Sequence, residues 1–264
     1  MVTVLAVNDD GVDSVGLRVL VEELSSSGFK VYVITPAYQM SGMSKTVSFY
    51  RFGRDGRIWF KKVDVNGAMG CWALNATPAE SVLIALRLLL EEKPSIVVSG
   101  VNSGPNLGLE DILTSGTVGA ALEAYLHGIP AIAVSLAHDG SASSGDYRIA
   151  ARVASILAYS LIEGASSKPW LLNVNVPLKP QGVIVTRPAL NTYRTKFKIE
   201  GEVIEVLRDS MEERYWDREY GTDVWAVLNR YISITPLNIF KVLDADERFK
   251  FKLEDIVRRL QEDL

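Results

Sequence analysis

Two adjacent aspartates, Asp9 and Asp10, follow the first apolar run of the chain at residues 2–7. An aliphatic and β-branched run that stops at a polar cluster is typical of a buried strand, and open α/β sheets bind ligands beyond the carboxyl ends of such strands. Neighbouring carboxylates are costly to ionise together unless a cation lies between them. Their hard oxygens suit Mg²⁺, Mn²⁺ or Ca²⁺. The pair therefore indicates a metal site, and the alternative is a helix cap with a turn.

Ser115, Gly116 and Thr117 stand where a second kind of chemistry is available, the start of a predicted helix. Free backbone N–H groups, two hydroxyls and the positive end of the helix would face one point there, which favours a phosphate. The glycine-containing loop at residues 100–108 adds Asn102 and Asn106. Each glycine taken singly is explained as well by a tight turn. Together, the two turns predict a phosphate site at the edge that holds the aspartates.

The elements that must position these residues follow a βαβ pattern. Ser14 can cap a helix that ends at Gly28, and residues 30–35 form a second strand, parallel to the first. The run Thr77-Pro78-Ala79-Glu80 predicts a helix start with a capping box. Further core strands are expected at residues 95–99, 131–135 and 170–176, and further helices at 118–127 and 147–162. The fold class is therefore α/β, a Rossmann-like, doubly wound and mostly parallel sheet.

Two regions depart from this plan. Residues 46–66 have the pattern of an inserted hairpin, and from about residue 185 the alternating segments suggest extended hairpins. Core strands are expected to return at about 224–236, including residues 226–228 and 231–236. The last stretch, from Leu253, is an amphipathic helix that packs on its own domain or on a partner subunit. We therefore expect a catalytic domain at 1–185 and a C-terminal extension at 186–264.

Composition limits the function. The 264 residues are 48% hydrophobic and 23% charged, enough for one large α/β core. A net charge of −4 leaves no basic excess for binding a nucleic-acid polymer. Cys71 is the single cysteine, so a disulfide framework is excluded, and its apolar neighbours predict a buried side chain. Without a membrane-length apolar run or a signal peptide pattern, we expect a soluble, cytoplasmic protein.

The sequence does not match several common motifs of phosphate-binding and hydrolytic proteins. Gly11 and Gly16 have P-loop spacing, but Leu17 and Arg18 replace the required Lys and Ser/Thr. The sequence lacks a GxGxxG after the first strand and a GxSxG motif, and Gly11 stands where an Asp-x-Asp pair starting at Asp9 would need its second aspartate. Of the two histidines, His127 is predicted to be structural at a helix end, and His138 lies in a loop that could reach the site. Metal-assisted hydrolysis without a covalent intermediate remains.

A set of motifs, in order from residue 4 to about 237, resembles the SurE survival protein family. They are Asn8-Asp9-Asp10-Gly11, Ser41-Gly42, SGVNSGPNLG at 99–108, SGTVGAA at 115–121, NVNVP at 173–177 and SITPL at 233–237. The resemblance implies a Rossmann-like domain with an extension that builds dimers and often tetramers. It also implies a divalent-metal-dependent phosphatase of nucleoside 5′- and 3′-monophosphates, with short polyphosphate as a second substrate.

The matching motifs imply site residues as well. The implied ligands of one Mg²⁺ or Mn²⁺ per subunit are Asp9, Asp10, Ser41 and Asn102, and the implied phosphate contacts are Asn106, Ser115, Gly116 and Thr117. A bound water is the expected nucleophile, and Asp9 or Asp10 is expected to accept its proton. The chain departs from the family pattern at residues 38–40, at Ala76 and Glu80, and at Arg230. The alternatives are a broad acid phosphatase or exopolyphosphatase using the same site, and a non-catalytic nucleotide sensor.

Overall fold

Nine strands form the main sheet of the computed structural model, which describes residues 2–50, 55–140, 142–164, 169–191, 196–207 and 214–238. The strands are β1 (Thr3–Val7), β2 (Lys30–Pro36), β3 (Phe60–Val63), β4 (Ala68–Leu74), β5 (Ile96–Ser103), β6 (Ala131–Ala137), β7 (Leu171–Pro177), β8 (Gly182–Val185) and β11 (Tyr231–Pro236). Their order in the sheet is β3-β4-β2-β1-β5-β6-β7-β11-β8. A separate two-stranded sheet contains β9 (Lys196–Glu200) and β10 (Val203–Leu207).

The helices cover both faces of the sheet. They are α1 (Val15–Ser26), α2 (Pro78–Ile84), which continues as a π-helical turn (Ala85–Leu89), α3 (Gly108–Thr114), α4 (Gly116–Leu126), α5 (Ser144–Glu163) and α6 (Asp223–Leu228). Alternate β1 side chains enter two different clusters: Val4 and Ala6 pack with α1 and α5, whereas Leu5 and Val7 pack with α2 and α4. A strand that is buried on both faces has no polar alternation. The predicted doubly wound, mostly parallel fold is confirmed.

The sheet is parallel except at two places. Strand β1 pairs in parallel with β2 and β5, and β5 continues in parallel to β6 and β7. Strand β3 is antiparallel to β4, and β11 is antiparallel to β7. The carboxyl ends of β1, β5 and β6 therefore meet at one edge, where Asp9, Asn102 and His138 lie.

The hairpin near residue 60 differs from the prediction in its position. Residues 46–50 form no strand, and the hairpin is β3 with β4, whose second arm joins β2 in the main sheet. The apolar residues around Cys71 are therefore a core strand that the pattern did not reveal. Cys71 is buried as expected, and burial raises the pKa of its thiol to about 12.

Two other segments correct the sequence-based predictions. Residues 226–228 are part of helix α6, not a strand, because Thr222 caps a helical turn by accepting from the Trp225 N–H. Strand β5 does not end at Ser99 but continues to Ser103. Strand β11 forms where a core strand was expected. The predicted C-terminal helix from Leu253 lies outside the described residues.

Local capping explains why the helices begin where they do. The side chains of Ser14 and Thr77 accept from the N–H groups of Leu17 and Glu80, and Thr77 with Glu80 completes a capping box. Gly16, in the first turn of α1, lies against β5: a Cβ there would be 1.9 Å from the Val101 carbonyl oxygen. This glycine lets α1 approach the strand that carries Asn102.

The β9–β10 hairpin exposes one apolar face, formed by the cross-strand pairs Ile199–Ile204 and Phe197–Val206, whereas its other face carries the charged pair Lys198–Glu205. Ile199 and Ile204 lie opposite each other in the hairpin and are 74% and 64% exposed. Phe197, Val203 and Val206 are exposed as well. Among the described residues, no helix is long and apolar enough to cross a membrane.

Candidate active site

Asp9 is held at the N-terminus of α4. Its Oδ1 accepts from the Thr117 hydroxyl at 2.5 Å and its carboxylate also accepts from the Thr117 backbone N–H. Gly116 makes room for it, because a Cβ at Gly116 would lie 2.8 Å from Asp9 Oδ2. The positive end of the helix thus stabilises an ionised carboxylate. Burial nevertheless raises the pKa of Asp9 to about 6, and the neighbouring Asp10 adds to the increase.

Asp10 lies on the opposite side, beside the end of β5. Its Oδ2 accepts from the Ser103 backbone N–H at 3.0 Å. Burial raises the pKa of Asp10, while the hydrogen bond from the Ser103 N–H lowers it. Asn102 donates from Nδ2 to the Gly104 carbonyl at 2.7 Å, which leaves its Oδ1 to act as a ligand.

The loop that carries Ser41 is fixed near Asp9 by its backbone. The Met40 N–H donates to the Asp9 carbonyl oxygen at 2.7 Å, and the Ser44 N–H donates to the Thr114 carbonyl oxygen at 2.9 Å. The Ser41 side chain is exposed and accepts from Gln39 Nε2 at 3.1 Å. The structure therefore brings the Ser41 loop to the carboxylate pair, while the Ser41 hydroxyl contacts Gln39.

The residues predicted to contact phosphate have mostly structural partners. Ser115 Oγ caps α4 by accepting from the Val118 N–H, and the Thr117 hydroxyl is the one bound to Asp9. Asn106 donates from Nδ2 to Ser135 Oγ at 2.9 Å. Gly116 contributes the first backbone N–H of the helix beside Asp9. The N-terminus of α4, which was expected to bind a phosphate, therefore binds the Asp9 carboxylate in this structure.

A buried amide network supports Asn106, and sequence reasoning assigned no role to its other members, Asn173 and Asn175. Asn175 Oδ1 accepts from the Asn106 N–H at 2.8 Å, and both Asn173 and Asn175 donate to the Asn106 carbonyl oxygen. Asn173 Oδ1 is buried and has no hydrogen-bond partner among the residues that the structure describes. The signal for this network in the sequence was the presence of two asparagines, Asn173 and Asn175, in an otherwise apolar strand. All side chains of β7 are buried, and buried amides occur where they have hydrogen-bond partners.

The two histidines have different surroundings: His127 lies at a helix end and His138 lies near the carboxylate pair, as their sequence positions suggested. His127 ends α4 and contacts Glu123 Oε1 through Nε2 at 3.0 Å. His138 follows β6, and its Nε2 lies 3.1 Å from Ser103 Oγ and 3.4 Å from the Tyr147 hydroxyl. Ser103 and Tyr147 were not singled out in the sequence. Only folding places them together, because they come from β5 and α5.

The chemistry of this donor set fits a hard divalent cation. Two adjacent carboxylates whose pKa values are raised by burial gain most from a cation that offsets their charge. Asn102 Oδ1 adds a neutral oxygen, as Mg²⁺ and Mn²⁺ accept. Within the described residues, no group of three His, Cys, Asp or Glu side chains is placed to hold a metal. The remaining ligands would therefore be hydroxyl, amide or water oxygens.

The fold and site together define a doubly wound α/β protein with a carboxylate pair at the carboxyl edge of its parallel strands. Residues 4–195 match the sequence profile of the family described as Survival protein SurE. The chain belongs to the SurE family.

Relatives and a solved structure agree along nearly the whole chain. A protein of Archaeoglobus fulgidus named 5′-nucleotidase SurE is 40% identical over 250 residues, 89% of this chain and 91% of the relative. One of Symbiobacterium thermophilum with the same name is 36% identical, covering 90% and 93%. The crystal structure of the SurE protein from Aquifex aeolicus matches with a TM-score of 0.76 and 32% identity, covering 98% and 99%. The resemblance found in the sequence is confirmed.

Proposed function

We propose that this chain hydrolyses nucleoside 5′-monophosphates to nucleoside and phosphate, with a divalent cation and water as the nucleophile. The observation that carries the proposal is the adjacent pair of the buried Asp9 and the half-buried Asp10, at the edge where Asn102 also lies. The names of the relatives support the nucleotide as substrate. Nucleoside 3′-monophosphates are a further proposed substrate, from the resemblance of the motifs.

Asp9, Asp10, Asn102 and Ser41 would hold one Mg²⁺ or Mn²⁺, which when bound would acidify a water and polarise a phosphoryl oxygen. Asp9 is oriented by Thr117 and Asp10 by the Ser103 N–H, so neither carboxylate has to reorganise when substrate arrives. One of the two accepts the proton that water loses. Thr117 would thereby act through Asp9, and its direct partner would not be the phosphate.

The phosphate would lie against the start of α4 and the loop that precedes α3. Asn106, Ser115, Gly116 and Thr117 border this space, and its backbone N–H groups favour an anion. Because the Asn106 backbone is fixed by Asn173 and Asn175, this side of the space is rigid.

Two alternatives use the same residues. A broad phosphatase or exopolyphosphatase would need only the cation and the anion site, and a substrate panel separates it from a nucleotidase. A nucleotide sensor could hold phosphate on a helix end alone. The retained carboxylate pair counts against the sensor, because it repels phosphate unless a cation is bound.

The test is phosphate release from a panel of nucleoside 5′- and 3′-monophosphates and short polyphosphate, with Mg²⁺, with Mn²⁺ or with EDTA. Asp10→Asn is the test variant. Asp13→Asn is its matched control, because Asp13 pairs with Arg18 on the exposed face of the same loop. We expect metal-dependent release that EDTA and Asp10→Asn abolish and that Asp13→Asn retains.

Other outcomes discriminate among the alternatives. Undiminished release in EDTA would overturn the metal mechanism. Faster release from polyphosphate than from any nucleotide would favour the broad phosphatase. Tight nucleotide binding without any turnover, with either metal, would favour the sensor.

We also propose that copies of this chain associate through the C-terminal extension. One face of the β9–β10 hairpin exposes apolar side chains, those of Phe197, Ile199, Ile204 and Val206. A continuous exposed apolar surface marks an interaction site. Light scattering of the full chain should give a dimer or a tetramer, and a monomer at every concentration tested would contradict this assembly.

A further inference from the structure

His138 is the histidine placed beside the carboxylate pair, at the carboxyl end of β6. Its Nε2 is 3.1 Å from Ser103 Oγ, and the backbone N–H of the same serine donates to Asp10 Oδ2 at 3.0 Å. A single residue therefore separates the imidazole from one of the two carboxylates. The predicted metal and phosphate residues do not include His138.

The hydrogen bonds around the ring assign its proton. The Gly140 N–H donates to His138 Nδ1 at 3.3 Å, so Nδ1 is the acceptor nitrogen. A neutral imidazole with an accepting Nδ1 carries its proton on Nε2. That proton points to Ser103 Oγ and the Tyr147 hydroxyl, on the site side of the ring. His138 is thus held as a hydrogen-bond donor.

The burial of the site gives His138 a position relative to the reacting bond. Asp9 is 3% exposed and Asn102 is 9% exposed, whereas Ser103 is exposed and His138 is partly exposed. A phosphate that reaches Asp9 has its bulky nucleoside on the open side, where Ser103 and His138 lie. Phosphoryl transfer is roughly in line, so the leaving oxygen is opposite the attacking water. A donor on the open side faces the leaving oxygen.

We propose that the Nε2–H of His138 donates a hydrogen bond to the ester oxygen that leaves phosphorus, with Tyr147 and Gly140 positioning the ring. This role rests on the proposed phosphomonoesterase function. The bond between phosphorus and the ester oxygen breaks, and the water oxygen bonds to phosphorus. One proton of that water passes to a site carboxylate and ends, through solvent, on the released hydroxyl of the nucleoside.

A donor to the leaving oxygen matters most when that oxygen develops a large negative charge. An alkyl ester of a nucleoside has a poor leaving group, and p-nitrophenyl phosphate has a good one whose charge is delocalised into the ring. Removing one donor to a developing oxyanion costs about 10²–10³-fold in rate. The two substrates therefore separate the proposed role from a general loss of folding.

The experiment measures kcat and KM of wild type, His138→Ala and His138→Gln with a nucleoside 5′-monophosphate and with p-nitrophenyl phosphate, at saturating Mg²⁺. We expect His138→Ala to lower kcat for the nucleotide about 100-fold and for p-nitrophenyl phosphate less than about 5-fold. His138→Gln keeps an N–H donor near the Nε2 position and should restore part of the nucleotide rate. The matched control is His127→Gln, which should leave the ratio of the two rates unchanged.

Different failures point to different errors. If wild type hydrolyses neither substrate, the proposed function itself fails. If wild type is active and His138→Ala slows both substrates equally, or raises only the nucleotide KM, His138 is not the donor to the leaving oxygen. Tyr147→Phe gives a second check, since loss of its hydroxyl should reduce the nucleotide rate more than the p-nitrophenyl phosphate rate.

Discussion

The edge of the sheet around Asp9 buries a charged group, whereas the β9–β10 hairpin exposes apolar groups. At the edge, a carboxylate is nearly fully buried and receives two hydrogen bonds from Thr117. In the hairpin, Ile199 and Ile204 are mostly exposed. Burying a charge costs free energy unless it is paired, and exposing apolar surface forgoes the gain of burial. Both regions thus carry an unfavourable arrangement that a ligand or a partner would relieve.

The largest expected effect tests how tightly the edge is packed. Gly16→Ala puts a methyl group 1.9 Å from the Val101 carbonyl oxygen, so α1 or β5 must shift. We expect a loss of about 4 kcal/mol in the free energy of unfolding, measured by denaturant titration. The matched control is Gly145→Ala, in the first turn of α5, whose nearest contact is Ser143 Oγ at 3.5 Å. It should be neutral or stabilise by up to about 1 kcal/mol.

The second prediction concerns the cost of the buried charge. Because burial raises the pKa of Asp9 to about 6 in the folded protein, from 3.8, ionisation is disfavoured there. Protonated Asp9 therefore contributes to the free energy of unfolding of the metal-free protein. This contribution is present in full below pH 3.8 and is lost as the pH rises through 6. Roughly 3 kcal/mol is expected from one such shift. In EDTA, the free energy of unfolding of Asp9→Asn should therefore increase relative to that of wild type between pH 4 and pH 7, as measured by urea titration.

Adding Mg²⁺ sharpens that experiment. A cation that binds only the folded protein stabilises it by about 1.4 kcal/mol for each tenfold excess over its dissociation constant. At pH 7 the melting temperature of wild type should rise with Mg²⁺, and that of Asp9→Asn should rise less. An equal rise in both proteins would show that the cation does not use Asp9.

A third effect isolates the hydroxyl that orients Asp9. Thr117→Val keeps the branched shape but removes the donor, so a buried carboxylate oxygen loses its partner. We expect kcat/KM for the nucleotide to fall about 10–100-fold, which corresponds to about 1.4–2.7 kcal/mol. Thr117→Ser is the matched control because it retains the hydroxyl, and it should lose less than about 3-fold. Equal activity of all three proteins would refute the orienting role.

The smallest effect belongs to the hairpin. Ile204→Thr changes an exposed side chain and should alter the unfolding free energy of the monomer by less than about 0.5 kcal/mol. The same change in the core, Ile132→Thr, should cost several-fold more because Ile132 is fully buried. If Ile204→Thr weakens self-association in sedimentation while its monomer stability stays level, the exposed surface is an interface. Unchanged association would place the interface elsewhere.

The sequence predicted those features that depend on residues close together in the chain. Ser14 and Thr77 cap their helices as expected, since a cap needs only the next three residues. The largely apolar strand β1 was readable from its residues, and its parallel pairing with β2 followed from the βαβ spacing. The family was readable for the same reason, because its motifs are short and occur in order.

Other elements were decided by packing. Residues 226–228 have strand-like side chains, but the Thr222 cap and burial against β11 make them helical. Strand β4 has no clean alternation, and its identity comes from pairing with β2. Local propensity is too weak to settle such short segments.

By itself, the sequence determined that Asp9 and Asp10 follow the first strand and that Asn102 comes shortly after the predicted strand at 95–99. The structure extends that strand through Asn102. Only the tertiary structure decided that Asp9 sits on the α4 N-terminus, that Asn106 is fixed by Asn173 and Asn175, and that His138 meets Ser103 and Tyr147. Each of these contacts joins residues far apart in the chain or on different elements. Hydrogen bonds of this kind require positions accurate to a few tenths of an ångström. No local pattern encodes such positions, because they result from the packing of the whole sheet and its helices.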